Sequence, residues 1–265
     1  MNIDDDTLRL MGGCSVTRRI GMVKQPRGGY IKPKTLVSEV LGEGADALNP
    51  EESVGANLVG TAVDYLTRLM SGAKPADAFA ISLMGAAVIG ETEKAEGLLA
   101  RVRGLDDESI ESAVKLTGFD ACRRASVMTY KPVEGINPDG PTVENVRTMV
   151  ERSLAFLDVY GPKVLDGFTF GGGYTDLVSS GDGDFTTADT LWDFKVSKNP
   201  VKKEHTLQLL MYWRMGLHSV HPEFKDVRYL GIYNPRTNTA SRIAVADIPG
   251  DVIAQVESKV IGYKV

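Results

Sequence analysis

The spacing of apolar residues changes near the middle of the chain. Between residues 54 and 120, and again over residues 142–159, apolar side chains recur every three to four positions, as on one face of a helix. After Gly161-Pro162 the period shortens towards two, which is typical of strands. The pattern predicts strands over residues 164–170, 174–179, 190–197, 227–233 and 241–248, and helices over 203–217 and 252–259. Residues 16–23 could form one further strand.

This order of elements predicts an α/β fold. A helix, three strands, a helix and a strand follow one another in the second half of the chain, which favours a sheet covered by helices. The turn residues Gly181-Asp-Gly-Asp184 are expected to join the strands 174–179 and 190–197 as a hairpin. We divide the chain into a basic N-terminal arm or loops (1–50), a helical subdomain packed on the core (51–135) and an α/β core (140–265).

Composition describes an ordinary globular chain with an uneven charge distribution. Of its 265 residues 43% are hydrophobic and 25% charged, no apolar run has the length of a membrane span, and the N-terminus lacks the layout of a signal peptide. A cytoplasmic location and no membrane partner are expected. The net charge is −5, which argues against bulk binding to nucleic acid.

Two local groups of basic residues could nevertheless contact nucleic acid. Residues 7–38 contain no acidic residue but include Arg18 and Arg19, and a second group contains Lys198, Lys202 and Lys203. The alternative for the first group is a solvated arm. For the second group we favour nucleic-acid binding, because it follows directly on the candidate chemistry described next.

Three short motifs carry that chemistry. Asp193 and Lys195 are two apart in a predicted strand and therefore share a face. Across the expected hairpin, Asp176 of Gly173-Tyr-Thr-Asp176 would approach Asp193. Two neighbouring carboxylates repel each other unless a cation lies between them, and oxygen ligands of this kind suit Mg²⁺ or Mn²⁺. Such an ion polarises a phosphoryl oxygen and lowers the pKa of a bound water, while Lys195 could orient the water or stabilise developing charge.

A polar pair on the following helix completes the set. Gln208 and Tyr212 are four apart and lie on one helical face. This face can lean over the carboxylates, where Gln208 could hold the lysine or a water and Tyr212 could contact DNA.

Taken together, these motifs resemble the PD-(D/E)xK nucleases. The Gln-x-x-x-Tyr helix narrows the resemblance to the RecB-like exonuclease branch. The resemblance implies a restriction-endonuclease-like αβββαβ core, metal-binding acids at Asp176 and Asp193, a catalytic lysine at Lys195 and the helix motif at Gln208 and Tyr212.

Relatives in that branch also carry a Gly-x-x-x-His helix and, in some cases, an iron–sulfur cluster. Gly60-Thr-Ala-Val-Asp64 resembles the helix with aspartate in the histidine position, so Asp64 is a third candidate metal ligand or else an ordinary helix-surface residue. No iron–sulfur cluster is expected, because the chain has only Cys14 and Cys122 and the cluster needs four cysteines.

We therefore expect a metal-dependent DNA nuclease, in the first place an exonuclease, acting in DNA repair, recombination or phage-related processing. Its partners would be DNA and, as a further candidate, a single-strand-binding or recombination protein. Two alternatives stay open: a non-catalytic nucleic-acid-binding module with a nuclease-like fold, and an unrelated α/β protein in which the motifs are coincidental.

Overall fold

A computed structural model describes residues 4–42, 47–124 and 126–264. The α-helices of this part of the chain are α1 (Asp5–Leu10), α2 (Val16–Met22), α3 (Ala56–Met70), α4 (Pro75–Ala78), α5 (Ala80–Val88), α6 (Thr92–Leu99), α7 (Asp107–Thr117), α8 (Asp120–Arg124), α9 (Gly140–Tyr160), α10 (Lys203–Leu217) and α11 (Gly250–Gln255), the last continued by a π-helix, Val256–Ile261. Short 3₁₀ turns occupy Pro33–Thr35, Val127–Thr129, Val133–Gly135, Pro222–Asp226 and Val245–Asp247.

In the described part of the chain the strands form a mixed sheet of six and a separate pair. They are β1 (Cys14–Ser15), β2 (Val37–Val40), β3 (Leu165–Thr169), β4 (Val178–Ser180), β5 (Asp182–Thr186), β6 (Thr190–Phe194), β7 (Tyr229–Asn234) and β8 (Thr239–Ala244). The large sheet has the order β2-β8-β7-β6-β5-β3, in which only β6 and β7 are parallel. β1 and β4 pair in parallel as the second sheet. The predicted α/β class is confirmed.

The predicted hairpin is wrong in its first strand. Residues 181–184 do not form a turn, since β5 begins at Asp182 and pairs with β6, and the connection between them lies at residues 187–189. The glycines there have a packing role instead: a Cβ on Gly183 would lie 2.4 Å from the Phe168 ring. Glycine inside a strand often marks such a close approach, and this is why it resembled a turn in the sequence.

Local signals account for the start of several helices. Asp139 accepts a hydrogen bond from the backbone N–H of Thr142 and begins α9, and Asp106 caps α7 in the same way through Ser109. The helix expected over residues 203–217 is confirmed as α10. The strand expected over residues 16–23 is wrong, because the Ser15 hydroxyl accepts from the N–H of Arg18 and begins helix α2.

Apolar side chains form cores on both faces of the large sheet and inside the helical part. One core joins α10, the π-helix and the N-terminal segment, to which Leu8, Val16 and Ile20 contribute. A second lies among the helices between α3 and α9, and a third is aromatic, with Phe156 of α9 stacked on Tyr233 and edge-on to Trp192. Much of the segment predicted as a basic arm or loops is therefore helix or strand with side chains in the core. Within the described residues, no helix is long and apolar enough to cross a membrane.

Candidate functional site

The pairing of β5 with β6 brings two aspartates together in the middle of the sheet. Phe185 is opposite Trp192, and continuing this antiparallel register places Asp184 opposite Asp193. Side chains opposite each other in this way have Cβ atoms about 5 Å apart. The Asp184 carboxylate also accepts a hydrogen bond from the backbone N–H of Phe194 at 2.7 Å, which fixes one of its oxygens against β6.

Lys195 completes this group of charges. Its Nζ lies 2.9 Å from Oδ1 of Asp193, whose side chain is only 2% exposed. The second oxygen of Asp193, Oδ2, is buried and has no hydrogen-bond partner among the described residues. A buried polar atom left unpaired costs about 1–3 kcal/mol, and a partner bound to this oxygen would remove that cost.

The electrostatics of the group are those of crowded like charges. Burial, together with the neighbouring charge of Asp193, raises the pKa of Asp184 to about 7. Burial disfavours the charge on Lys195, but the carboxylates of Asp193 and Asp184 outweigh that effect and raise the pKa of its ammonium group. A cation that took part of the lysine's role would relieve the repulsion between the two acids.

Helix α3 contributes a further carboxylate to a pocket beside this group. Asp64 lines a pocket of about 340 Å³ together with Asp184, Lys195 and Arg124. We call this the acidic pocket. Asp64 is partly exposed and pairs with Arg68 one turn further along α3, at 3.2 Å. The structure therefore places this predicted residue beside the carboxylate of Asp184.

The predicted polar face of α10 lies in an adjoining pocket. Gln208 donates a hydrogen bond to the Tyr212 hydroxyl at 2.9 Å, and both residues line this second pocket with Asp64, Asp184 and Arg124. Tyr212 is otherwise buried and packs on Phe170. Burial, partly offset by the hydrogen bond from Gln208, raises the pKa of its hydroxyl.

Asp176 does not join this group, which corrects the prediction. It lies just before β4, which pairs with β1 and not with β6. Its carboxylate is more than half exposed and forms an ion pair with Arg9 at 3.2 Å. The residue that faces Asp193 is Asp184, because the chain enters the hairpin one strand later than its turn signals suggested.

A third, larger pocket begins on the other side of Lys195. It has a volume of about 640 Å³ and is lined by Lys34, Lys195, Lys198 and His205 among others. We call it the lysine groove. Burial and the nearby charge of Lys195 lower the pKa of His205. Lys198 is exposed at this groove, with its Nζ donating to the carbonyl of Pro50 at 2.6 Å.

The remaining basic candidates differ in their accessibility. Arg18, Lys202 and Lys203 are exposed or partly exposed. The prediction that Arg19 contacts nucleic acid is wrong. Arg19 is 3% exposed, pairs with Asp5, and donates to the carbonyls of Lys259 and Val260. Its guanidinium group ties α2 to the C-terminal π-helix and is not available to nucleic acid.

Two residues of the site, Asp184 and Arg124, are not among those predicted from the sequence. Asp184 did carry a signal, because Gly181-Asp-Gly-Asp184 repeats the Gly-x-x-Asp pattern closer to Asp193 than Gly173-Tyr-Thr-Asp176 does. Arg124 carried none, since it is one of two adjacent arginines on a short helix far away in the chain.

The donors present suit a hard divalent cation. Across residues 4–42, 47–124 and 126–264, no three His, Cys, Asp or Glu side chains are grouped closely enough to hold a metal ion on their own. Mg²⁺, however, is commonly bound through one or two carboxylates, with water and substrate phosphate completing its shell. Two opposed carboxylates, one with an unpaired buried oxygen, meet that requirement.

In comparisons with known proteins, no family model, no curated protein and no solved structure matches this chain.

Proposed function

We propose that this protein is a metal-dependent DNA nuclease of the PD-(D/E)xK kind, with Asp184 and Asp193 as the metal-binding acids and Lys195 as the catalytic lysine. One observation carries the proposal. Two carboxylates face each other across β5 and β6, an ammonium group is held 2.9 Å from one of them, and a buried oxygen of that carboxylate is unpaired. Two carboxylates buried side by side cost stability, and such arrangements are typical of functional sites.

The order of elements supports the same class. Helix α9 precedes the antiparallel strands β3, β5 and β6, and α10 then leads to β7, which runs parallel to β6. This is the αβββαβ order that the sequence resemblance implied, apart from the short β4, which pairs outside the large sheet. With Asp184 in the place predicted for Asp176, the Gly-x-x-Asp and Asp-x-Lys motifs are both kept, since Gly181-x-x-Asp184 precedes Asp193-x-Lys195.

The acidic and basic residues of the site would have different roles. Asp184 and Asp193 would hold Mg²⁺ or Mn²⁺, which when bound supplies Lewis acidity towards a phosphodiester. Lys195 is held by Asp193 with its ammonium group at the edge of the acidic pocket, where it can stabilise negative charge that develops on phosphate oxygens. Its raised pKa keeps it charged at neutral pH, which favours this electrostatic role over that of a proton acceptor.

Other groups would position the substrate. Asp64 lines the acidic pocket with Asp184, but within the described residues it is not grouped with Asp184 and Asp193 closely enough for the three to hold a metal ion, and Gln208 and Tyr212 line the adjoining pocket. The lysine groove on the far side of Lys195 offers Lys34 and Lys198 to the sugar–phosphate backbone. An exonuclease is the form of the activity that we propose.

Cleavage assays test the proposal. Purified protein with Mg²⁺ or Mn²⁺ should degrade linear DNA and spare a covalently closed circle of the same sequence. Asp184→Asn, Asp193→Asn and Lys195→Ala should each lower the rate by at least about a hundredfold. Asp176→Asn is the matched control and should retain wild-type activity. Degradation that survives Asp184→Asn and Asp193→Asn would show that the site lies elsewhere.

Metal binding can be measured without any substrate. A cation that binds only the folded protein raises its unfolding temperature. Mn²⁺ should therefore stabilise the wild type and the Asp176→Asn variant in thermal unfolding, and should have little effect on Asp184→Asn. Equal stabilisation of all three proteins would remove Asp184 from the metal site.

A further inference from the structure

Helix α8 presents one arginine to both pockets of the candidate site. Arg124 lines the acidic pocket with Asp184 and Lys195, and it also lines the adjoining pocket with Gln208 and Tyr212. Its side chain is 56% exposed. It is therefore a cation that solvent or a ligand can reach, at the point where the two pockets meet.

A buried polar network holds this arginine. Arg124 Nε donates to Oδ2 of Asp120 at 3.1 Å, and Nη2 donates to the Tyr65 hydroxyl at 3.1 Å. The Tyr65 hydroxyl in turn donates to Asp120 Oδ2 at 2.7 Å, and the Ser82 hydroxyl donates to Asp120 Oδ1 at 2.6 Å. Helices α3, α5 and α8 each contribute to this arrangement, so it is built by the tertiary fold.

The network is costly to bury and leaves one end of the guanidinium unused. Asp120 is 6% exposed, Tyr65 2% and Ser82 0%. Burying a carboxylate rarely adds stability compared with apolar packing, whereas it does fix the direction of its partner. Two of the five N–H donors of the Arg124 guanidinium are used, one on Nε and one on Nη2, and Nη1 has no acceptor within the described part of the chain. The remaining donors are thus available on a side chain whose position is fixed in advance.

We propose that Arg124 binds a phosphate group of the nucleic-acid strand in the pocket that also holds Asp184 and Lys195, and that Asp120, Tyr65 and Ser82 are its positioning residues. The inference rests on the proposed function for the identity of the strand. The guanidinium group suits a phosphate because its planar donors match the oxygens of that group. The phosphate would bridge the helical part of the chain and the sheet, so that a bound strand contacts both.

Binding without cleavage is the appropriate measurement. A fluorescent single-stranded oligonucleotide is titrated in EDTA, which removes the metal ion that cleavage requires. Arg124→Ala should weaken binding by about tenfold to a hundredfold, Arg124→Lys by less, and Arg123→Ala, the matched control on the same helix, by no more than about twofold. Loss of one phosphate contact should also make the salt dependence shallower, by about 0.7 in the slope of log K against log salt concentration for a single strand.

The positioning role has its own readout. Tyr65→Phe removes the hydroxyl that bridges Arg124 and Asp120, and it should weaken binding in the wild-type background by about threefold to tenfold. It should have no further effect once Arg124 is alanine. If the network had a purely structural role, Tyr65→Phe would instead lower the unfolding temperature of both the wild type and Arg124→Ala. It would leave the slope of log K against log salt concentration unchanged, and that result would overturn the assignment.

The outcomes separate the two proposals. Cleavage by the wild type combined with unchanged binding and KM in Arg124→Ala overturns this inference and leaves the nuclease proposal intact. Binding that depends on Arg124 in a protein without metal-dependent cleavage supports the phosphate site and removes the nuclease. A wild type that neither binds nor cleaves overturns both.

Discussion

At the scale of single residues, the site is defined by the ionisation of Asp184. Its carboxyl group has an ordinary pKa of 3.8, and in the folded protein burial and the charge of Asp193 raise this pKa to about 7. Between these two pH values the folded chain holds one proton more than the unfolded chain. The free energy of unfolding therefore falls as the pH rises through this range, and above pH 7 the full penalty remains.

Asp184→Asn should remove this penalty in the absence of metal. We expect the variant to gain stability relative to the wild type as the pH rises from 4 to 8, by up to about 4 kcal/mol over the range, because asparagine carries no proton to lose. The measurement is urea unfolding in EDTA at several pH values.

Asp176→Asn corrects this comparison for the general effect of removing one negative charge from a chain of net charge −5. Subtracting its pH dependence isolates the contribution of the buried site. A stability difference between Asp184→Asn and wild type that stays constant from pH 4 to 8 would contradict the raised pKa.

At the scale of elements, the position of α8 depends on a glycine of α5. A Cβ on Gly85 would lie 2.1 Å from the backbone oxygen of Phe119, the residue directly before α8. The two helices can approach this closely only because position 85 has no side chain. Since α8 carries Asp120 and Arg124, this contact helps to determine where the arginine lies.

Gly85→Ala should therefore both destabilise the protein and displace α8. We expect a loss of about 1–3 kcal/mol in the free energy of unfolding, since a backbone oxygen cannot move aside as a side chain can. The measurement is urea unfolding, followed by oligonucleotide binding at a temperature where the variant is folded, in which the affinity should fall towards that of Arg124→Ala.

Gly97→Ala is the matched control in the same helical part. This glycine lies within α6, and a Cβ there would meet nothing within 4 Å. Alanine should stabilise that helix by about 0.5–1 kcal/mol, because glycine is the weaker helix former. Similar effects of both substitutions would mean that helix propensity, and not the contact with Phe119, governs position 85.

At the scale of the whole molecule, a buried ion pair links the chain before α3 to the sheet. Arg236, in the turn between β7 and β8, contacts Glu52 at 2.8 Å, and the two side chains are 7% and 5% exposed. Asn145 of α9 also donates to Glu52 at 3.1 Å. One carboxylate thus joins the sheet, α9 and the segment that leads into α3, and α3 carries Asp64.

Glu52→Ala should destabilise the protein by about 3–5 kcal/mol, because it leaves the buried charge of Arg236 without a partner. Denaturant unfolding measures this loss. Glu51→Ala, an exposed neighbour, should change stability by less than about 0.5 kcal/mol. The double variant Glu52→Ala with Arg236→Ala should recover part of the loss, and a strictly additive result would show that the pair is not coupled.

The sequence by itself determined the features that depend on neighbouring residues. Helical spacing predicts α7 and α9, and the period of two after Gly161-Pro162 predicts β6, at whose end Asp193 and Lys195 lie near one another. The spacing of Gln208 and Tyr212 likewise predicts their contact on α10, because residues four apart on a helix are adjacent.

Only the tertiary structure decided which groups meet across the chain. Asp176 and Asp184 both follow a Gly-x-x-Asp pattern, and strand pairing selects Asp184 because its strand is hydrogen-bonded to β6. Arg19 and Arg124 are equally basic in sequence, yet one is buried against the π-helix and the other lines the pockets. Register and burial depend on contacts between residues far apart in the chain, and no local pattern encodes them.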